Sequence, residues 1–197
     1  EDERALVLKH TDILGIPASV IAQQLAGRRK SKLKLPTWYQ KKQIIYPPSI
    51  NLEQCSSEAT ALFKASLAGK LFLQKKNLVA VDLTGGFGVD CYFFSKVFQC
   101  IHYVEPNLNL FELVQNNHKR LGATSILHYC TTAEKFIESS NRPFDLIFLD
   151  PGRRDQHARK VFKLTDCSPD VSQLQHLVFK KSLYLLVKAS PLLDIQQ

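Results

Sequence analysis

The stretch LVAVDLTGGFGVD, Leu78–Asp90, decides how the rest of the chain is read. Its first residues are apolar or β-branched up to Asp82, the pattern of a strand buried on both faces rather than one. The strand closes on Asp82, glycines at positions 85, 86 and 88 make the turn, and Asp90 opens a helical segment. Glycines are needed where a backbone turns sharply and a ligand comes within contact distance of it.

The same pattern recurs along the chain. CIHYVE (Cys100–Glu105), SILHYC (Ser125–Cys130), FDLIFLD (Phe144–Asp150) and SLYLLVK (Ser182–Lys188) each read as a strand. Helical segments fall between them at Cys91–Phe98, Leu108–Leu121, Ala133–Ser139 and Val171–Lys181. Strands that alternate with helices and are apolar on both faces predict a doubly wound, mainly parallel α/β sheet with right-handed crossovers. Such sheets bind ligands at the carboxyl ends of their strands.

Upstream, residues 1–45 read as a small helical and basic segment. Pro17 suits a first helical turn, and Val20, Ile21 and Leu25 recur at helical spacing up to Gly27. Pro47-Pro48 then punctuates the chain as a linker into the α/β unit, residues 46–197. Ser56 or Ser57 can cap a helix whose apolar face is Ala61, Leu62, Ala65 and Leu67, ending near Gly69.

The composition, 45% hydrophobic and 22% charged over 197 residues, is that of a soluble globular protein. No apolar run approaches the roughly 20 residues of a membrane span, and Glu1–Arg4 is charged with no apolar core after it, so no secretory leader is expected. A chain that starts on Glu and has no Met is expected to be an excised piece of a longer protein. Five widely spaced cysteines without a C-x-x-C pattern argue against a disulfide framework and a zinc site, and fit reduced thiols in the cytoplasm. The six histidines have no metal-ligand spacing.

A net charge of +8 and a pI near 9.3 favour an anionic partner, nucleic acid first and a membrane surface second. The charge is uneven: Arg28, Arg29, Lys30, Lys32 and Lys34 crowd together, with Trp38, Tyr39, Lys41 and Lys42 after them. Basic residues interleaved with aromatics suit a phosphate-tracking surface with stacking platforms, and a solvated charged face is the plainer alternative.

Glu105 closes the second strand a little over 20 residues after Asp82, where a carboxylate can accept both hydroxyls of a ribose. A dinucleotide fingerprint would continue G-x-G-x-x-G, but Cys91 stands at the last glycine. Acids at Asp82 and Asp90 would repel a pyrophosphate. They suit a ligand with ammonium and sulfonium groups, S-adenosylmethionine.

In these motifs the chain resembles the class I Rossmann-like methyltransferases. VDLTGGFGVD is similar to their first motif, VEPN to their second-strand acid and FDLIFLDPG to their fourth motif. The resemblance implies that Asp82, Gly86 and Gly88 line the methionine end, that Glu105 holds the ribose, and that Thr84, Gly85, Asp90 and Pro106 also belong to the cofactor site. It also implies that Thr132 and Ala133 flank adenine, and that Asp150 meets both cofactor and methyl acceptor. INLEQCSSEATALFK together with DPGRR resembles, more narrowly, bacterial RNA methyltransferases that carry a THUMP-like domain after the catalytic one. In that group two further strands and the THUMP-like module would follow the point where this sequence stops.

In amino-methylating enzymes the fourth-motif loop reads Asp/Asn-Pro-Pro-aromatic, and its acid and a loop carbonyl accept the target NH₂. Asp150 and Pro151 fit; Gly152 replaces the second proline, and Arg153 the aromatic. A guanidinium at Arg153 or Arg154 can stack on a base or grip a phosphate. The resemblance thus implies N-methylation of a purine base in rRNA or tRNA, with Asp150, Pro151 and Arg153 as the catalytic set and no metal. A non-catalytic RNA-binding protein and a small-molecule methyltransferase are the rival readings. C5-pyrimidine methylation is disfavoured, because Lys188-Ala189-Ser190-Pro191 lacks the nucleophilic cysteine one such class carries there.

Overall fold

The structure, a computed structural model, describes residues 3–153 and 167–189. In chain order the elements are α1 (Glu3–Lys9), a small hairpin β1 (Asp12–Ile13) and β2 (Ile16–Pro17), then α2 (Ala18–Lys34), α3 (Pro36–Gln40), α4 (Ser49–Gln54) and α5 (Glu58–Leu71). The α/β part follows: β3 (Val79–Asp82), α6 (Val89–Phe94), β4 (Cys100–Val104), α7 (Leu108–Arg120), β5 (Ile126–Tyr129), α8 (Ala133–Ser139) and β6 (Leu146–Leu149). A short pair, β7 (Gly152–Arg153) and β8 (Cys167–Ser168), then α9 (Val171–Lys181) and β9 (Leu185–Val187) complete the described elements.

The five long strands form one parallel sheet in the order β5-β4-β3-β6-β9. The chain enters at the central strand, winds outward to β5, returns to β6 and winds outward again to β9. The point where the direction reverses lies between β3 and β6, and the crevice above it is where a doubly wound sheet binds its ligand. This is the Rossmann-like sheet that the alternation of strands and helices predicts.

Alternate residues of each strand enter different cores, as the period of two demands. Ala80, Ile101, Tyr103, Leu146 and Phe148 pack with residues of α5, α6 and α7. Val81, Val104, Ile147 and Leu149 pack with residues of α8 and α9. A strand covered on both faces has no polar side, which is why the sequence reads as unbroken apolar runs.

The segment before the sheet shares its first core. Leu35, Trp38, Ile44, Tyr46 and Leu52 all join it. Two side-chain amides pin the extended stretch between α3 and α4. Asn117 of α7 pairs with both backbone groups of Ile45, and Gln24 of α2 with both of Tyr46.

Three expectations change here. Gly27 does not end a helix: α2 runs on to Lys34, and a Cβ at Gly27 would lie 2.4 Å from the Tyr46 Cβ, so the glycine lets α2 lie against that stretch. Trp38 is no stacking platform, because it is 0% exposed and packs among Phe87, Tyr92 and Phe93. On α5 the buried face is Ala61, Lys64, Ala65 and Ala68, while Leu62 and Leu67 point outward. Ser57 caps that helix as expected, its hydroxyl accepting from the Thr60 N–H. Among the described residues no helix is long and apolar enough to cross a membrane.

Candidate active site

Parallel pairing brings the strand tips together. Asp82 ends β3, Glu105 follows β4, Asp150 follows β6 and Lys188 follows β9, all at the same end of the sheet. Hydrogen bonds then link the tips. The Asp82 carboxylate accepts from the Thr84 N–H at 3.0 Å and from the Thr84 hydroxyl at 3.4 Å. The Thr84 hydroxyl oxygen accepts the Asp150 N–H at 2.7 Å, so one threonine ties the central strand to its neighbour.

The glycine turn lies over these tips, and its three glycines serve different ends. Gly86 has a φ of +50°, and a Cβ there would meet only the Thr84 carbonyl, at 3.7 Å, so its outer side is open. Gly88 has a φ of +73° and caps α6; a Cβ there would come within 2.6 Å of His118 and Val114. Gly85 faces inward: a Cβ would stand 2.3 Å from the Tyr103 ring. Gly85 is therefore needed for packing rather than for close approach of a ligand.

Glu105 is 9% exposed and holds the turn from the side. One of its oxygens accepts the Gly86 N–H at 3.0 Å and the other the Asn107 N–H at 2.9 Å. The Tyr103 hydroxyl donates to the Gly86 carbonyl at 2.7 Å, so both backbone groups of Gly86 are fixed. Burial raises the Glu105 carboxyl, and the two backbone N–H groups oppose that rise. Pro106, next to it, is exposed at the rim. Across the rim, Thr132 caps α8 by accepting from the Lys135 N–H, and Ala133 is buried in the second core.

Asp82 is 1% exposed and has no cation in direct contact among the described residues. Burial first, and then the Asp90 carboxylate, push its carboxyl up to about 8; the Thr84 N–H and the Lys64 charge pull the other way. It is the group in the site most in need of a positive partner.

Asp90 differs from expectation. A free acid facing a ligand is not what the fold provides, because Lys64 and Ser56 occupy both of its oxygens. The Lys64 ammonium lies 2.6 Å from one oxygen, the Ser56 hydroxyl donates to the other at 2.8 Å, and Lys64 donates to Ser56 at 2.8 Å. All three side chains are buried, with the ammonium 4.8 Å from the Phe148 ring centroid. This closed triangle joins α5 to α6 beneath the turn. A signal for Lys64 existed in the sequence: it stands at the helical spacing of Ala61, Ala65 and Ala68, on the face that must be buried.

His118 supports the turn from α7. It is 1% exposed, and burial takes its imidazole down to about 3, so it is neutral. Its Nε2 donates to the Gly88 carbonyl at 2.9 Å, which leaves Nδ1 to accept from His128 Nε2 at 2.9 Å. Both ring nitrogens of His118 are thus satisfied. Among the described residues no group of His, Cys, Asp and Glu is placed to hold a metal ion.

The acceptor side is built on Asp150. Its carboxylate lies 2.6 Å from the Lys188 ammonium. Gly152 and Arg153 are not a free loop, because their backbones pair antiparallel with Ser168 and Cys167. The Arg153 side chain and all of Arg154 lie outside the described residues. Cys55, between α4 and α5, feels the charges of Lys34, Asp90, Lys188 and Asp150, and burial pushes its thiol up to about 11.

The basic segment is largely committed elsewhere. Arg28 lies over the Tyr39 ring at 4.5 Å, Arg29 pairs with Glu3 at 3.0 Å, and Lys30 reaches Ser49 and Glu53. Lys34 donates to the carbonyls of Leu52 and Glu53 at the end of α4, and Lys32 is exposed. A groove of about 940 Å³ lies at the opposite, amino end of the strands, lined by residues such as Leu71, Lys75, Val79, Asp145 and Tyr184. It lies at the other end of the strands from Asp82, Glu105 and Asp150, so the strand tips define the site.

No family model matches the chain, and no curated protein does. Solved structures do. A protein of Porphyromonas gingivalis W83, described as a putative methyltransferase, superposes with a TM-score of 0.78 at 24% identity, over 98% of this chain and 46% of its own. This chain therefore spans about half the length of that protein. A protein of Pyrococcus horikoshii, described as a putative RNA methyltransferase, gives 0.54 at 19% identity over 83% of this chain and 76% of its own. An S-adenosylmethionine-dependent methyltransferase from Agrobacterium tumefaciens gives 0.50 at 17% identity, over 66% and 45%. The chain has the Rossmann-like fold of S-adenosylmethionine-dependent methyltransferases.

Proposed function

We propose that this chain is a catalytic unit of an S-adenosylmethionine-dependent methyltransferase that acts on RNA, with the exocyclic amine of a purine base as methyl acceptor. The observation that carries the reading is the convergence of Asp82, Glu105 and Asp150 at adjoining strand tips around the open side of Gly86. A buried carboxyl that no described cation touches, a second acid beside the turn and space above a glycine fit a ligand with cationic groups and a vicinal diol.

On this reading Asp82, Thr84, Gly86 and Gly88 form the methionine end, with Gly85 and Asp90 supporting it from beneath. Glu105 and Pro106 lie on the ribose and Thr132 and Ala133 beside the adenine. Bound there, S-adenosylmethionine would supply an electrophilic methyl group to the amine lone pair and leave as the neutral thioether. Asp150 accepts an N–H of the amine, orients its lone pair and stands ready for the proton that nitrogen sheds after transfer. The Pro151 carbonyl is the second acceptor and Arg153 the contact to base or phosphate. Such catalysis is chiefly positioning. Residues 46–197 hold cofactor and reaction centre, and residues 1–45 assist with substrate. RNA as the substrate is supported by the net charge of +8 and by Lys32, the exposed lysine of the basic segment.

Asp82 gives a test by calorimetry. Its carboxyl titrates near 8 without ligand, and a cation beside it favours the carboxylate. Binding of S-adenosylmethionine at pH 7 should therefore release nearly one proton, seen as a dependence of the heat on buffer ionisation enthalpy. Affinity should fall about tenfold for each pH unit below that carboxyl's pKa, because the proton must first be removed. Binding without proton release contradicts the role of Asp82, and no binding at all contradicts the methyltransferase reading. Transfer of a labelled methyl group to total RNA, with the methylated nucleoside then identified by mass spectrometry, tests the substrate. An unlabelled RNA pool would remove RNA from the proposal.

A further inference from the structure

We propose that Lys188 is a substrate-positioning residue. With Asp150 it forms a side-by-side donor and acceptor that read a nucleobase edge carrying an exocyclic amine next to an unprotonated ring nitrogen. The proposal rests on the methyltransferase reading above and names what the acceptor side recognises.

The register of the sheet creates the pair. Leu149 is opposite Val187, so Asp150 and Lys188, one residue further on, leave the sheet together. The Lys188 N–H donates to the Leu149 carbonyl at 2.8 Å and its ammonium lies 2.6 Å from one Asp150 oxygen. The Asp150 N–H is held by Thr84, so the backbone beneath the carboxylate is fixed from both sides.

Exposure separates this ion pair from the other one in the site. Lys64 and Asp90 are 8% and 10% exposed at their side chains and are sealed under the turn. Lys188 and Asp150 are 34% and 27% exposed, open to a ligand. A pair so open adds at most about 1 kcal/mol to stability, so holding the fold is a weak reason for it. Among the described residues Lys188 contacts Asp150 with one ammonium proton and has two left to donate. Asp150 keeps its other carboxylate oxygen, which accepts no hydrogen bond from the described residues.

Toward the described residues the groups left over are thus an acceptor and a donor at adjoining positions. Their complement is an N–H beside a lone pair, as in the amine and ring nitrogen of adenine (N6 and N1), cytosine (N4 and N3) or guanine (N2 and N3). Uracil also presents an N–H beside a lone pair, at N3 and O4, so the base that lacks the pattern is 3-methyluracil, whose edge carries no N–H. The charge balance agrees. A lone carboxylate would favour protonation of the ring nitrogen, which draws the amine's electrons into the ring, whereas a donor beside that nitrogen keeps it unprotonated and the amine more nucleophilic.

The test is fluorescence anisotropy of the full chain, saturated with S-adenosylhomocysteine, with labelled five-nucleotide oligoadenylate, oligocytidylate and oligo(3-methyluridylate). Wild type should bind at least one amino-bearing oligomer about tenfold more tightly than oligo(3-methyluridylate), the effect of one hydrogen bond to a charged group. Lys188→Met should reduce that ratio to within about twofold, with S-adenosylhomocysteine affinity by calorimetry unchanged, and Lys188→Arg should restore part of it. A Lys188→Met protein that keeps the ratio, or a wild type without one, overturns the proposal, as does an equal loss of S-adenosylhomocysteine affinity. Wild type that fails to bind S-adenosylhomocysteine overturns the methyltransferase reading and this proposal with it. Intact cofactor-product binding with an unaltered ratio overturns this proposal alone.

Discussion

Lys64→Met should destabilise the chain by about 3–5 kcal/mol, the cost of removing one partner from a buried ion pair. The methionine fits the space of the lysine stem, so the loss comes from charge rather than volume. Asp90 would keep only the Ser56 hydroxyl, in a region where Asp82 is already disfavoured as a carboxylate by burial and by Asp90 itself. Asp90 must then either remain charged and unpaired or take up a proton. The double variant Lys64→Met/Asp90→Asn should recover most of the loss, since an amide can accept from Ser56 without needing a counter-charge. Urea denaturation of the four proteins of the cycle measures both effects. A single-variant loss below about 1 kcal/mol would mean that the triangle contributes little. The same cycle reads the role of Asp90: if Asp90→Asn binds S-adenosylmethionine like wild type, the acid serves the fold and not the ligand.

The positions of the sheet strands were legible because burial on both faces leaves a plain mark: five apolar runs, each at the right distance from a helical segment. The acids at their tips were legible for a related reason. A charged residue that ends a buried run must lie at the end of its strand, where the ligand crevice of such a sheet opens. Asp82, Glu105 and Asp150 are there as read, joined by Thr84 and Gly86. What the sequence hid was how side chains pair across distance. Lys64 and Asp90 are 26 residues apart, as are no obvious partners in the linear string. Lys188 and Asp150 meet only because β9 pairs with β6. The α5 face was misread because leucines mark burial more loudly than alanines. Packing against α6 calls for small residues, and the leucines went outside. Trp38 was misread for the opposite reason: its basic neighbours suggested a surface, but α3 turns its one tryptophan into the aromatic cluster on α6.

Two kinds of acid therefore share the site. Asp90 is neutralised from within, by a lysine the solvent barely reaches. Among the described residues no cation contacts Asp82, and its carboxyl is held near 8 by burial and the neighbouring Asp90 charge. A site that keeps one acid paired and leaves the next in need of positive charge is suited to a cationic ligand. The pairing of Asp90 also limits the negative charge that must be buried before the ligand arrives.

Asp150→Ala should lower the rate of methyl transfer by about 100- to 1,000-fold while leaving the fold and cofactor affinity close to wild type. The carboxylate is the acceptor that fixes the amine lone pair, so its loss removes orientation, not binding of the methyl donor. The fold should tolerate the change. The backbone N–H of residue 150 still donates to Thr84, and the released Lys188, at 34% side-chain exposure, can turn to water. Asp150→Asn should be intermediate, because its carbonyl can still accept an N–H while its amide group cannot take the Lys188 donor's place. The measurements are labelled methyl transfer to RNA under saturating cofactor, calorimetric binding of S-adenosylhomocysteine and a thermal melt for each protein. Activity of Asp150→Ala within a few-fold of wild type would remove Asp150 from the reaction. Wild type that binds RNA and S-adenosylhomocysteine but transfers no methyl group would leave the non-catalytic reading standing. A loss of transfer with an unchanged melt and unchanged S-adenosylhomocysteine binding would place the defect where the strand tip meets its acceptor, in the side chain that closes FDLIFLD.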